Sequence, residues 1–281
     1  MSVVRPAWAR LAGHSYRVGG AWLLRGLRGG GFPYPRAGLY RLLVPVEPWR
    51  YYELGRVAAE PWDGRCLDVS SPKLLASALQ RQGRGRWTAI DLLPEEIATW
   101  RTLDPELDLR VADARALPFE DDTFDAIACV SVIEHVAGDG DAVAMAEMWR
   151  VLRPGGVLHL TTNVSARAGE VRTRVPVYAT EGPAESPDGA GAFFERRYSA
   201  ATLRARLLAL PWGEEAREYV RERRPVHERF FAARPWSFLT GGLLPLVCAR
   251  NFVSVADPAE LPDGAFGVVY LRLRKPGSAL A

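Results

Sequence analysis

From about residue 65 the chain alternates short apolar runs with amphipathic stretches of helical period. RCLDV precedes a helical pattern near SPKLLASALQRQ, and RWTAIDL precedes PEEIATWRTL. LDLRVADA and FDAIACVSV follow, and DGDAVAMAEMWRVL leads through a turn at RPGG into VLHLTTNV. Nearly continuous apolar strands separated by helices predict βαβ units, and therefore a doubly wound α/β domain with a parallel sheet covered on both faces. Beyond these, SAATLRARLLAL reads as a helix capped by Ser199 and EAREYVRERR as a strand. The alternation in AFGVVYLRLRKP suits a final antiparallel edge strand.

Two stretches and the N-terminus break this regularity. Residues 1–54 are rich in Arg, Gly, Trp and Tyr, with prolines between short helical pieces, and predict an N-terminal helical cap on a main domain over 55–281. Residues 164–192 have no clear period and read as a loop or lid, and 225–262 as an insertion before the last strand. A chain of 281 residues, 48% hydrophobic and 25% charged, can bury a sizeable core. Its net charge of +3 does not indicate nucleic-acid binding. Cys66, Cys129 and Cys248 share no CxxC spacing and read as reduced thiols. The run Trp236 to Ala249 is broken by Gly241, Gly242 and Pro245 and falls short of the ~20 residues a spanning helix needs. With no signal-like apolar stretch at the N-terminus, the expected location is cytoplasmic.

Three acids fall at the ends of successive strands, Asp68, Asp91 and Asp113, and in a doubly wound sheet those ends line one crevice. A carboxylate at Asp91 can accept both hydroxyls of a ribose, and Asp113 can accept an exocyclic adenine amine, with Ala114 leaving room for the ring. One such acid alone is explained as well by capping of the next helix; three in register point to a ligand. No His, Cys, Asp or Glu cluster has metal-ligand spacing, so no metal is expected. His159 reads as a core residue between Leu158 and Leu160, whereas His14 and His227 lie in segments whose structure the pattern does not define.

The stretch ADARALPFEDDTFDAIACVSVIEHV, followed by EMWRVLRPGGVLHLTTN, resembles the class I S-adenosylmethionine (SAM) methyltransferases, in particular their small-molecule subgroup, from Cys66 to about Val164. The resemblance implies a seven-stranded Rossmann-like sheet of order 3-2-1-4-5-7-6. It also implies SAM as cofactor, S-adenosylhomocysteine as product, and a small-molecule or lipid-like acceptor methylated by in-line displacement. The cofactor-binding positions it implies are Asp68, Val69, Ser70, Ser71, Lys73, Asp91, Leu92, Asp113, Ala114, Cys129, Val130 and Ser131. Glu134 and His135 stand where the family often carries a similar pair, and a histidine there can act as general base toward a hydroxyl. The first motif departs from the family: DVSSPKL puts Ser70, Pro72 and Leu74 where relatives carry glycines. Pro72 suits the first turn of a helix with Ser70 or Ser71 as cap, and Lys73 is either a charge for the methionine carboxylate of SAM or a solvated surface lysine.

The acceptor side is expected from the N-terminal segment, the 164–192 loop and FFERRYSAATL. Glu195, Arg196, Arg197 and Tyr198 either meet a polar acceptor or form an exposed charged loop. Phe230, Phe231, Trp236 and Phe238, with Trp22 and Tyr34, either wall an apolar pocket or form the cores of small appendages. Peripheral contact with lipid is a further reading, because arginines flank the aromatics in both segments. Two other functions compete: a nicotinamide-dependent oxidoreductase, which would explain Asp91 but not DDTFDAI, IEHV or LRPGG, and a non-catalytic binding protein with an eroded SAM site.

Overall fold

A computed structural model describes residues 2–47, 50–174, 191–224, 250–265 and 267–277. Five parallel strands form the centre: β1 (Arg65–Val69), β2 (Arg86–Asp91), β3 (Asp108–Val111), β4 (Phe124–Val130) and β5 (Leu152–Val164). A short hairpin, β6 (Gly169–Thr173) with β7 (Ala192–Arg197), stands apart as a second sheet. The main sheet continues through β8 (Gly213–Glu222), β9 (Phe252–Val255) and β10 (Gly267–Arg274), giving the order β3-β2-β1-β4-β5-β10-β8-β9. β10 runs antiparallel between β5 and β8, as expected for the closing strand.

Three differences from the sequence reading stand out. The sheet has eight strands, because β9 extends the seven-stranded order by pairing antiparallel with β8 from within the expected insertion. The RPGG turn lies inside β5 as a register shift: Leu152 pairs with Phe124, and pairing resumes at Val157 opposite Ala126. The expected 164–192 loop contains strand β6 and ends at the first residue of β7. Phe230, Phe231, Trp236, Phe238, His227 and Cys248 lie outside the described residues.

Alternation along the strands divides the core in two. On β4, Ala126, Ala128 and Val130 face one apolar cluster while Ile127 and Cys129 face the other; on β10, Tyr270 faces the first and Val269, Leu271 and Leu273 the second. Helices α1 (Val4–Arg25), α3 (Tyr51–Ala59), α4 (Leu74–Arg81) and α5 (Pro94–Leu103) supply the first layer. Helices α6 (Gly140–Val151) and α7 (Ala200–Leu207) supply the second, and Ser199 caps α7 in a reciprocal pair with Thr202. The cap–domain boundary expected at 54/55 falls inside α3, whose residues are buried as one continuous piece of the first layer.

The N-terminal helices are fastened by buried polar contacts. Trp22 donates to the Leu103 carbonyl (3.2 Å) and Tyr34 to that of Thr102 (2.8 Å), so both are buried in the core. His14 Nε2 lies 3.1 Å from Ser77 Oγ, which donates to Asp104. Burial pushes His14 down to about 4, and pushes His159, 2.9 Å from the Tyr270 hydroxyl, to about 3.

Helix α1 meets α2 (Tyr34–Leu43) at glycines. A Cβ on Gly38 would lie 2.4 Å from the Leu23 backbone nitrogen and 2.7 Å from the Gly19 carbonyl oxygen. Rotamer changes cannot relieve a clash with backbone, so Gly38→Ala is expected to destabilise by roughly 1–3 kcal/mol. Gly20, on α1 with nothing within 4 Å, provides the contrast: Gly20→Ala should stabilise by about 0.5–1 kcal/mol. Urea unfolding of both variants checks the opposite signs.

Candidate active site

The carboxyl ends of β1, β2 and β4 open on a cleft of about 300 Å³. Its first wall is the loop after β1. Ser70 takes φ 53°, a left-handed conformation that suits glycine and costs other residues ~1–2 kcal/mol. The glycine-free loop therefore keeps a glycine-like turn at the first of the three positions where relatives carry glycine. Ser131, after β4, does the same at φ 53°. Both serines also donate their backbone N–H across the sheet, Ser70 to the Ile90 carbonyl (3.1 Å) and Ser131 to that of Thr161 (3.0 Å).

Ser71 ties this loop inward. Its N–H donates to Asp68 Oδ1 (3.0 Å), its hydroxyl accepts from the Val130 N–H (2.9 Å), and its carbonyl accepts from Lys73 Nζ (2.8 Å). The serine cap expected for α4 is absent, since that helix starts at Leu74 with no side-chain cap. Lys73 is neither a solvated lysine nor a cleft residue: it is 2% exposed and its ammonium pairs with Asp91 Oδ2 at 2.9 Å. The other oxygen of Asp91 accepts from the Leu93 N–H (3.1 Å). A carboxylate offers about four acceptor positions, so Asp91, at the cleft wall, retains capacity for a ligand.

Of the sequence-predicted residues, Ser70, Ser71, Asp91, Leu92, Asp113, Ala114, Val130, Ser131 and His135 line the cleft. Asp68, Val69, Lys73, Cys129 and Glu134 do not; all are buried behind it. Asp68 supports the loop, with Oδ2 lacking any hydrogen-bond partner, and burial pushes its carboxyl up to about 6. Glu134 accepts from Ser131 Oγ (2.6 Å) and Thr162 Oγ1 (2.9 Å), so it holds the cleft-lining serine from below. Asp113 is gripped by the guanidinium of Arg115 (2.7–3.0 Å), which holds its carboxyl below the usual carboxylate range.

His135 Nδ1 lies 2.7 Å from the Phe194 carbonyl oxygen. That oxygen can only accept, so Nδ1 carries a proton and its hydrogen bond fixes the orientation of the ring. Phe194 and Phe193 come from β7, which completes the cleft wall. The strand is pinned by Arg196, which donates to Asp141 Oδ2 (2.7 Å) and the Gly138 carbonyl (2.8 Å). Asp141 also accepts from Tyr198 (2.8 Å) and Arg206 (2.6 Å), and although burial opposes ionisation these bonds hold its carboxyl below the usual range. Arg196 and Tyr198 are thus buried structural partners, neither acceptor ligands nor an exposed loop. Glu195 accepts from Asn163 Nδ2 (3.0 Å) and from Arg197 (3.1 Å).

Arg50 lines the cleft from the N-terminal segment and donates to the buried Glu53 (3.3 Å), whose other oxygen accepts from Thr161 Oγ1 (2.9 Å). Nothing in the local pattern around Arg50 marks it, because its place depends on a carboxylate held against β5. Among the described residues, no group of three or more His, Cys, Asp or Glu is arranged to hold a metal ion.

Residues 67–160, which carry this cleft's strand ends, match the family model described as a methyltransferase domain. Over these residues the chain carries a methyltransferase domain. The domain is similar to the ubiquinone/menaquinone biosynthesis C-methyltransferase UbiE of Desulfotalea psychrophila, 32% identical over 130 residues, 43% of this chain and 52% of that protein. It is also similar to the ubiquinone biosynthesis O-methyltransferase of Xylella fastidiosa (strain M23), 42% identical over 108 residues, 35% of this chain and 41% of that protein. The chain thus spans about half the length of these curated relatives or less. In fold, the chain is similar to the MccD protein, with a TM-score of 0.50 and 14% identity over 82% of this chain and 99% of that one.

Two substitutions test how this methyltransferase domain holds its cleft. Lys73→Met strands the carboxylate of Asp91 and should destabilise by about 3–5 kcal/mol, part of which adding Asp91→Asn recovers. For Asp68, the folded value near 6 lies above the ordinary 3.8, so ionisation opposes folding. That penalty is absent below about pH 4, grows up to about pH 6 and is constant above, reaching on the order of 3 kcal/mol. Asp68→Asn should therefore gain on the wild type by about that amount between pH 4 and pH 7, read as the pH dependence of the difference in unfolding free energy.

Proposed function

We propose that the cleft binds SAM and that the protein methylates a small, largely apolar acceptor, with a hydroxyl as the acceptor group. The observation that carries this reading is the convergence of Asp91, Asp113 with Ala114, and His135 on one cleft. The residues suit the cofactor: Ser70 makes the turn usually made by glycine, and a volume of about 300 Å³ is at the lower end of small-molecule sites.

When bound, SAM would supply an electrophilic methyl group, transferred in line to the acceptor as the carbon–sulfur bond breaks and S-adenosylhomocysteine leaves. Asp91 accepts from the ribose hydroxyls, its orientation fixed by Lys73 and Leu93. Asp113, beside Ala114 at the cleft wall, would accept the adenine amine, with Arg115 keeping the carboxylate ionised. With Lys73 buried and the Arg115 guanidinium engaged by Asp113, Arg50 at the cleft wall would meet the methionine carboxylate. His135 would serve as the base for the acceptor's proton, its ring oriented by the Phe194 carbonyl. Phe193, Phe194, Val132 and Val136 give an apolar wall that orients the acceptor and excludes water. Of the two quinone-biosynthesis relatives, the one named an O-methyltransferase supports an oxygen acceptor, whereas the other is named a C-methyltransferase.

Calorimetry with SAM and S-adenosylhomocysteine should give saturable binding, weakened roughly 10- to 100-fold by Asp91→Asn. His135→Gln should leave that affinity unchanged while lowering turnover on hydroxylated aromatic acceptors about 100-fold or more, read as S-adenosylhomocysteine formation. Absence of saturable binding at millimolar cofactor rejects the reading in favour of a non-catalytic scaffold.

A further inference from the structure

The N-terminal hairpin carries a charge and an exposed surface that the cleft does not use and the core uses only in part, through Arg25 over the Tyr34 ring and Arg41 over that of Trp100. Residues 1–46 hold seven arginines and no acidic residue, leaving 29 basic against 33 acidic residues, a net charge of −4, in the rest of the chain. Six of these arginines, all but Arg41, are exposed. Of the eight exposed large apolar side chains among the described residues, six lie in this same segment. Four of them cluster around the connection between α1 and α2: Leu24 (48% exposed), Leu27 (75%), Phe32 (76%) and Leu39 (51%). They alternate with Arg25, Arg28 and Arg36 about the wide turn Gly26–Gly30.

We propose that this hairpin tip docks on an anionic membrane surface. Arginines without intervening acids are drawn to a negatively charged bilayer, and apolar side chains among them reach the boundary between headgroups and acyl chains. A nucleic acid would satisfy the arginines through its phosphates but would leave Leu27 and Phe32 in water. No described helix is long and apolar enough to cross a membrane, so the hairpin lies on the surface. Its opposite side is committed to the core through Trp22, Tyr34 and His14, which fixes the tip rigidly to the domain. The proposal rests on this hairpin alone and is independent of the methyl-transfer reading.

Co-sedimentation of the full chain with phosphatidylcholine vesicles, with and without phosphatidylglycerol, tests it. Binding is expected only with phosphatidylglycerol, with loss at high salt. Each arginine contributes on the order of fivefold, so Arg25→Gln, Arg28→Gln and Arg36→Gln together should weaken partitioning about 100-fold. Leu27→Asp with Phe32→Asp should weaken it at least tenfold, whereas Val143→Asp, an exposed apolar residue on α6, should change nothing. Circular dichroism confirms that each variant is folded, and the lipid and salt dependence of the unaltered chain tests the idea without any substitution. No partitioning onto phosphatidylglycerol vesicles overturns the proposal. So does partitioning that survives loss of Leu27 and Phe32, or single-stranded RNA displacing the vesicles with sensitivity to the arginines alone.

Discussion

Lys73 is one of only two lysines in the chain, and its ammonium is buried with acceptors on Asp91 and Ser71. A buried charge is tolerated only where it is paired and hydrogen-bonded, so this ammonium dictates the path of the loop between β1 and α4. It draws the Ser71 carbonyl inward and fixes the Asp91 carboxylate at the end of β2. It also moderates the cost of burying Asp68, whose carboxyl rises through desolvation and is lowered by the nearby charge. A loop without glycine thereby acquires a defined shape: Ser70 accepts a left-handed conformation because its neighbours on both sides are tied down.

A second buried charge fixes the opposite wall. Asp141, at the start of α6, is wholly buried and collects Arg196 from β7, Arg206 from α7 and Tyr198 from the link between them. Three donors on one carboxylate offset its desolvation and anchor β7 where the Phe194 carbonyl meets His135. The imidazole at the cleft is therefore oriented by a strand that is held by charges on its far side. Removing Asp141 would act on His135 without touching it, since the ring's orientation depends on the position of the Phe194 carbonyl.

The N-terminal helices serve both the core and the surface. They cover the sheet's first layer, meet at close-packed glycines, and bring Arg50 to the cleft. Their outward side keeps a basic and apolar character that packing in the core does not require. Two demands on one segment explain why its composition reads as irregular beside the alternation that follows residue 65.

Much of the architecture was legible in the chain itself. The apolar runs β1 to β5, the alternating β10 and the Ser199 cap follow from backbone geometry, which imposes a period of two on strands and a side-chain partner on a helix start. Asp91 and Asp113 were legible because the carboxyl ends of parallel strands line a crevice, although Asp68, at the end of β1, is buried behind it. The direction of Lys73, the removal of Glu134 from the cleft, the arrival of Arg50 and the pairing of β9 with β8 were not. Each is settled between groups distant in sequence: a buried carboxylate must find its donor, and an exposed strand edge its partner, wherever the fold brings one close. Periodicity determined which residues stand at the strand ends, while tertiary structure, by pairing buried charges, decided which of them face the cleft.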